Sequence, residues 1–498
     1  MIAQDVYVAP DIEWWHTSPL IALVGGALLL LLLGALTPRW PRGLYGAFAA
    51  ITSVTAGVLA YLQWREIDDA GPATLLDGVL AFDHLAQFLT MTICASTLLV
   101  ALVTSDELGR ERRDNPEMYA MFLVAAAGAV VMVSANELIV LFLGLETMSL
   151  GLYVLAASDR RRPASQESGI KYFVLGGFAS AVFLYGIALV YGTAGTTNLS
   201  GIYGFFVANV SLEGESPLVL AGLALLVVGL GFKVAAVPFH VWTPDVYEGS
   251  PNSVTAFMAS VGKAAAFAAM LRVLVITLPF QRDDWRPAIW VLAVLSLVVG
   301  AVLAIVQSDV KRMLAYSSIS HAGFILVGVV AAGHDTLGDG MPSVVEYVLI
   351  YSVLTVGSFA VVALVAEQNG GDTSIDAFKG LAKRRPAIAL GLTVLLLAQA
   401  GVPFTSGFVA KWGVIQAAVE ESSYVLGVIA MVAAVIAAFL YLRIMVNTWL
   451  ADEAQIEREA VPFATGLAIF LAVAFTVVVG VYPEPLLEAA DSVTQFAR

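Results

Sequence analysis

A chain of 498 residues that is 59% hydrophobic and 13% charged, with a mean hydropathy of +0.86, cannot be a water-soluble domain of ordinary make. Its net charge of -14 and pI near 4.8 exclude nucleic acid as a partner, which needs Lys and Arg clustered on one face. The single cysteine, Cys94, lies in an apolar run, so this chain alone builds no disulfide framework, thiolate zinc site or iron–sulfur cluster.

The N-terminal stretch MIAQDVYVAPDIEWWHTSP carries acids and no Lys or Arg before Arg39, whereas a secretory signal needs a basic segment ahead of its apolar one. The first apolar run is therefore expected to stay as a helix. A transmembrane helix takes about 20 mainly apolar residues. On that measure the sequence predicts an all-α integral membrane fold with fourteen spans, at 19–36, 44–62, 85–104, 119–135, 138–157, 172–192, 217–241, 254–278, 288–306, 313–332, 344–365, 387–419, 425–445 and 461–482. Two spans are irregular. The seventh contains Pro238 and is followed by Pro244, and the twelfth contains Gly401-Val402-Pro403 and is too long for one straight helix, so both are expected to be broken.

Loops after odd-numbered spans hold Arg39, Arg42, Arg110, Arg112, Arg113, Arg160, Arg161, Arg162, Lys311, Arg312, Lys379, Lys383, Arg384, Arg385 and Arg458, with Arg443 at a helix end. Loops after even-numbered spans hold only Arg65, Arg272, Arg282 and Arg286. Basic residues accumulate on the cytoplasmic side, so the odd loops are expected to face the cytoplasm and both termini the other side.

Lysines 171, 233, 263 and 411 and Glu146 remain, at or inside spans. A charge at the bilayer centre costs at least about 2.5 kcal/mol, which normally implies a partner, a water-filled path or both. The plain structural alternative is a snorkelling side chain or one inert ion pair that fixes helix packing, and it weighs most for Lys171, at a span entrance. Unwound backbone at membrane depth is tolerated only where protein or a watery cavity satisfies it, so the nearness of Lys233 to Pro238 and of Lys411 to Pro403 favours a proton path. His321, among Tyr316, Ser317, Ser318 and Ser320 in the tenth span, could relay protons or bridge two helices. His240, Trp242 and Asp245 fall at a helix end, where anchoring is expected. The remaining histidines, His16, His84 and His334, lack metal-ligand spacing, and the chain has no HExxH and no phosphate-binding glycine loop.

The breaks share a short string, AVPF at 236–239 and GVPF at 401–404. Paired broken helices in corresponding places mark the inverted repeats of transporters. Helices 1–3 (1–104) are thus expected to precede repeat one (helices 4–8, 119–278), repeat two (helices 9–13, 288–445) and helix 14 (461–482).

The segment FKVAAVPFHVWTPDVYEGSPNSVTAFMASVGKAAAF at 232–267 resembles the signature region of subunit N of bacterial respiratory complex I, the NADH:quinone oxidoreductase. LFLGLETMSLGLYVLAA at 141–157, ESGIKYFVLG at 167–176, KRMLAYSSISHAGF at 311–324 and AGVPFTSGFVAKW at 400–412 extend the likeness over nearly the whole chain. These motifs are shared with complex I subunits L and M and with multi-subunit sodium/proton antiporters. WTPDVYEGSP at 242–251, Lys411 where subunit M usually carries Glu, and an end soon after span fourteen favour subunit N.

The resemblance implies a Glu146–Lys233 pair, an axis continuing through Lys263 toward His321, and Lys411 on the outlet side; Lys171, at its span entrance, is a further candidate relay from the sequence alone. It also implies a β-hairpin near 195–213. This chain would hold no cofactor, the FMN, iron–sulfur clusters and quinone lying in partner subunits. Its neighbours would be subunits M and K, with J and the lateral helix of L nearby, in a bacterial inner membrane. The rivals are a sodium/proton antiporter subunit and a scaffold whose charges only hold helices together.

Overall fold

A computed structural model describes residues 12–37, 40–41, 43–110, 115–209, 217–333, 340–450 and 460–497. Arg39, Arg42, Arg112, Arg113, His334, Arg458, Arg498 and the first eleven residues lie outside that set, as does the side chain of Arg110.

The long helices are α1 (Ser18–Leu36), α2 (Leu44–Ala70), α3 (His84–Arg110), α4 (Pro116–Ser134), α5 (Leu138–Ala156) and α6 (Pro163–Ala194). After the short α7 (Leu199–Asn209) come α8 (Pro217–Val234), the short α9 (Thr243–Gly249), α10 (Asn252–Thr277), α11 (Arg282–Ile305), α12 (Val310–Ala332) and α13 (Gly340–Gln368). α14 (Pro386–Ala400), α15 (Ser406–Glu420), α16 (Tyr424–Leu450), α17 (Phe463–Val481) and α18 (Glu484–Asp491) complete the chain. Among the described residues, 13 helices are long and apolar enough to cross a bilayer. The remaining predicted span, the twelfth, is the pair α14 and α15, each too short to cross alone.

Both breaks occur where the sequence places them, and in each the freed backbone groups find partners. α8 stops at Val234 because Ala235 takes a left-handed conformation (φ 62°), after which the Ala236 amide returns to Gly231 O at 2.9 Å. The Phe232 carbonyl accepts from the Ala235 amide at 3.1 Å and from Trp242 Nε1 at 3.0 Å, and Ser296 Oγ accepts from the Val237 amide at 2.9 Å. α14 ends the same way at Gly401 (φ 88°), with the Val402 amide returning to Leu397 O at 3.1 Å. Here the last carbonyls, Gln399 O and Ala400 O, accept from Lys411 Nζ on α15 at 2.8 and 2.9 Å.

α10, α12 and α13 form the interior, with 100%, 94% and 94% of their apolar windows buried against 33% for α1 and α17. A helix apolar on all sides belongs inside a large bundle, and the polar atoms it carries must be satisfied there. α10 is not a regular α-helix. Met258–Gly262 and Leu271–Thr277 are π-helical, and Lys263 follows the first of these segments directly. Single π turns of this kind concentrate at functional sites.

The β-hairpin expected near 195–213 is not there: residues 199–209 form α7, and 210–216 lie outside the described set. The Asn198 side chain accepts from the Gly201 amide at 2.9 Å, and Leu199 and Ile202 bury one edge, which suits a helix start rather than a strand. A short hairpin lies instead between α2 and α3, pairing β1 (Ala73–Leu75) with β2 (Leu80–Phe82). Its turn carries positive φ at Leu76, Asp77 and Gly78, and Gly78 O receives Asn136 Nδ2 at 2.9 Å and Asn198 Nδ2 at 2.8 Å.

α4 and α5 approach backbone to backbone. A Cβ placed on Gly144 would stand 2.8 Å from both Gly128 O and Met132 N. Gly144→Val should push α5, which carries Glu146, away from α4 and cost about 1–3 kcal/mol. The thermal midpoint of the purified protein checks this, and an unchanged midpoint would show that the contact is not tight.

Candidate functional site

On α5, Glu146, Ser149 and Tyr153 stand at i, i+3 and i+7 and so share one face. The carboxylate of Glu146 accepts a hydrogen bond from Ser180 on α6. Lys233, in the last turn of α8 and 6% exposed, donates to Ser149 Oγ at 2.7 Å and reaches Tyr153 OH at 3.5 Å. Its ammonium also faces the Tyr153, Tyr172 and Phe232 rings at 5.6, 6.0 and 5.8 Å. Glu146 and Lys233 form no ion pair within 4.0 Å: the lysine bonds Ser149 and the carboxylate bonds Ser180. The structure thus holds the lysine on a hydroxyl and an aromatic cage, with the carboxylate one helical turn away. Ser149, Tyr153 and Ser180 escaped the sequence reading because hydroxyls barely register in hydropathy, although the Glu-x-x-Ser-x-x-x-Tyr spacing on one helix was a usable signal.

Lys263, 2% exposed, donates to the Ser318 carbonyl of α12 and lies 5.4 Å from the Tyr351 ring centroid. Tyr351 OH donates to Ser318 Oγ at 2.7 Å. One turn further along α12, His321 is held from both sides, by Tyr347 OH at 2.8 Å on Nδ1 and Tyr441 OH at 3.1 Å on Nε2. Tyr441 OH also meets Ser317 Oγ at 2.6 Å, Ser317 donates to Gln399 Oε1 at 3.5 Å, and Gln399 Nε2 reaches Ser358 Oγ at 2.7 Å. The Gln399 backbone carbonyl then receives Lys411, which is 6% exposed and lies 4.8 Å from the Phe324 centroid. Lys411 therefore sits at the negative end of the α14 dipole.

Lys263, Ser318 and Tyr351 form one hydrogen-bonded group, and His321, Tyr441, Ser317 and the Gln399 side chain a second, with the His321 and Tyr351 rings in contact at 5.0 Å, so a file of polar groups in two hydrogen-bonded stretches lies between Lys263 and Lys411. Such a file is costly in an apolar interior unless its members are satisfied. Hydroxyl and imidazole groups both donate and accept, which lets a proton enter one side of a group while another leaves the far side.

Lys171 is not part of this file. It pairs with Glu167 at 2.6 Å and with Asp245 at 2.8 Å, in a surface cluster where Arg312 pairs with Asp245 at 2.8 Å and Glu248 at 2.7 Å. The cluster ties α6, α9 and α12 together. Partial burial pushes the Asp245 carboxyl up, but Lys171 and Arg312 outweigh it and hold it below the usual carboxylate range. Asp245 and Trp242 are anchors, as their position at a helix end suggested. Sequence reasoning treated Lys311 as a loop residue, whereas it is 1% exposed and donates to Ser250 O at the end of α9. It also passed over Glu346, a buried carboxylate on α13.

Residues 135–437 match the family described as NADH:quinone oxidoreductase/Mrp antiporter, transmembrane, and the chain belongs to that family of polytopic membrane proteins. Within it, the chain is 39% identical to NADH-quinone oxidoreductase subunit N of Rhodococcus opacus, over 100% of this chain and 99% of that one. A chain of respiratory complex I from Thermus thermophilus superposes with a TM-score of 0.78 at 32% identity, covering 95% of this chain and 100% of that one. A chain of the Mrp complex from a Dietzia species shares the fold, with a TM-score of 0.85 at 19% identity, covering 97% of each chain.

Proposed function

We propose that this chain is the proton-translocating subunit N of an NADH:quinone oxidoreductase. The observation that carries the reading is the interior file itself: three buried lysines, two at helix breaks and one beside a π segment, with two hydrogen-bonded stretches of hydroxyl, imidazole and amide groups lying between Lys263 and Lys411. Full-length likeness to subunit N supports it over the antiporter alternative, for which the Mrp likeness supplies the fold alone.

Charge movement against the membrane potential costs about 2.3 kcal/mol per charge per 100 mV, so the subunit needs energy from outside itself. In this reading quinone reduction in other subunits supplies it, and the FMN, iron–sulfur clusters and quinone belong to those subunits. The Glu146–Lys233 separation acts as a setting, because an ammonium holds its proton more firmly as a carboxylate approaches. Drawing Glu146 toward Lys233 loads the lysine; withdrawing it sends the proton to Lys263 and on past His321 to Lys411. Lys171 serves at the mouth rather than in the file. Residues 119–278 and 288–445 act as the two half-channels, each with its broken helix. Neighbouring membrane subunits are partners, and in this reading they are M and K, with J and the lateral helix of L close by. In this reading the membrane is a bacterial inner membrane with both termini on its non-cytoplasmic side, and the bias of Lys and Arg toward the odd-numbered loops supports that orientation.

Lys233→Ala in the chromosomal copy tests the reading. The complex should assemble while quinone-linked NADH oxidation and proton pumping in membrane vesicles fall together, by roughly tenfold or more, the low side of what a positioned proton-transfer group contributes. Wild-type rates in assembled complex would remove Lys233 from any proton path, and transport that depended on sodium would favour the antiporter.

A further inference from the structure

Glu346 lies on α13 and is 2% exposed, yet its Oε1 has no hydrogen-bond partner among the described residues. A lone carboxylate inside a membrane protein is expensive, and it is kept where charge or protons pass. As a structural element it would be a poor choice, since an apolar residue of similar volume fills such a place at no cost or with a gain.

Its surroundings lie at the far end of the file. On α13, Tyr351, Tyr347 and Glu346 follow one another toward the Gly340 end: Tyr351 stands over Lys263, Tyr347 bonds His321, and Glu346 comes next. On the facing helix α15, a Cβ at Gly413 would stand 3.3 Å from Glu346 Oε2, so the carboxylate lies against the backbone two residues beyond Lys411. Past Glu346, α18 packs on α13, and its exposed Asp491 carboxylate acts on Glu346 electrostatically. Glu346 is six residues from the α13 terminus at Gly340, about 9 Å at 1.5 Å per residue, while Lys411 is nine residues from the α15 terminus at Glu420, about 14 Å. Glu346 is thus closer to its helix end than Lys411 is to Glu420, and the helix that carries the exposed Asp491 packs on α13.

We infer that Glu346 is the proton acceptor between Lys411 and the surface marked by Asp491, a step that rests on the proton-path reading of Lys411. In the transfer a Lys411 N–H bond breaks and a Glu346 O–H bond forms, leaving a neutral amine and a neutral carboxylic acid. The acid then gives its proton to water at the mouth, which restores the carboxylate.

Glu346→Gln, Glu346→Asp and Lys411→Ala in the assembled complex decide the matter. Glu346→Gln should leave assembly and thermal stability intact, slow quinone-linked oxidation and pumping by roughly tenfold or more, and abolish an infrared carbonyl band of a protonated carboxyl. Glu346→Asp should keep part of the rate with a displaced pH profile, which a merely structural role would not move. If Lys411→Ala is inactive but Glu346→Gln runs at wild-type rate with the band retained, the assignment of Glu346 is overturned and the path stands without it. If both variants run at wild-type rate, the path itself fails. Should Glu346→Gln not assemble, an unchanged pH profile in Glu346→Asp overturns the assignment instead.

Discussion

Arg272→Ala should destabilise this protein by about 3–5 kcal/mol, the cost of leaving a buried charge without its partner. Arg272, 2% exposed in the second π segment of α10, grips Asp83 with both ends of its guanidinium, Nη2 to Oδ1 at 2.7 Å and Nη1 to Oδ2 at 3.1 Å, while its Nε donates to Val133 O. Asp83 is fully buried, accepts from the Ala86 amide at 2.9 Å at the start of α3, and lies 3.4 Å from the Ala497 amide at the chain's end. Four parts of the fold thus meet on one ion pair: α10, α3, the end of α4 and the C-terminal residues. Removing the arginine strands the carboxylate, whereas Arg272→Met with Asp83→Asn removes both charges and keeps an oxygen that can cap α3. The double variant should therefore be more stable than Arg272→Ala. Thermal unfolding of the purified complex and the amount of subunit in the membrane measure both effects. An Arg272→Ala protein as stable as wild type would show that the pair is reached by water and contributes little.

Arg272 also shows where a sequence stops being informative. From composition it reads as a basic residue near a span end, and nothing nearby reveals that Asp83, almost two hundred positions earlier, will close on it. The spans themselves were legible because an uninterrupted apolar run of sufficient length has few alternatives, and the breaks were legible because proline cannot supply an amide. Lys233, Lys263 and Lys411 were legible because a charge in such a run needs a reason. The partners that hold them were not. Ser149, Tyr347, Tyr441 and Gln399 are brought together by packing between helices distant in sequence, and a hydroxyl or amide in a span costs too little to flag itself. Glu346 was hidden by its nearness to a span end, where a carboxylate is ordinary, and Lys311 by its loop-like neighbours. The π segments leave no mark in hydrophobic period, since they alter which carbonyl an amide reaches rather than which residues are apolar. The hairpin was misplaced because its site came from resemblance, while Asn198, Leu199 and Ile202 favour a helix locally.

Lys263→Met separates transport from scaffolding most sharply, because the two roles predict opposite signs. As a structural element Lys263 offers one hydrogen bond, to the Ser318 carbonyl, and one ring contact, to Tyr351, against the cost of keeping an ammonium inside the most buried helix of the bundle. Methionine has a similar length, fills the same space and removes that cost, so stability should be unchanged or raised. Were the lysine helix glue, weakening of the α10–α12 contact would lower assembly and leave the turnover of assembled complex unchanged. As the group between Lys233 and the His321 file, it cannot be replaced by a thioether, which carries no proton. Assembled complex should then lose quinone-linked oxidation and pumping by roughly tenfold or more, on a protein as stable as wild type. Normal assembly with lost turnover places the proton in this interior; reduced assembly with normal turnover per complex would return Lys263 to the scaffold and leave the file without its middle.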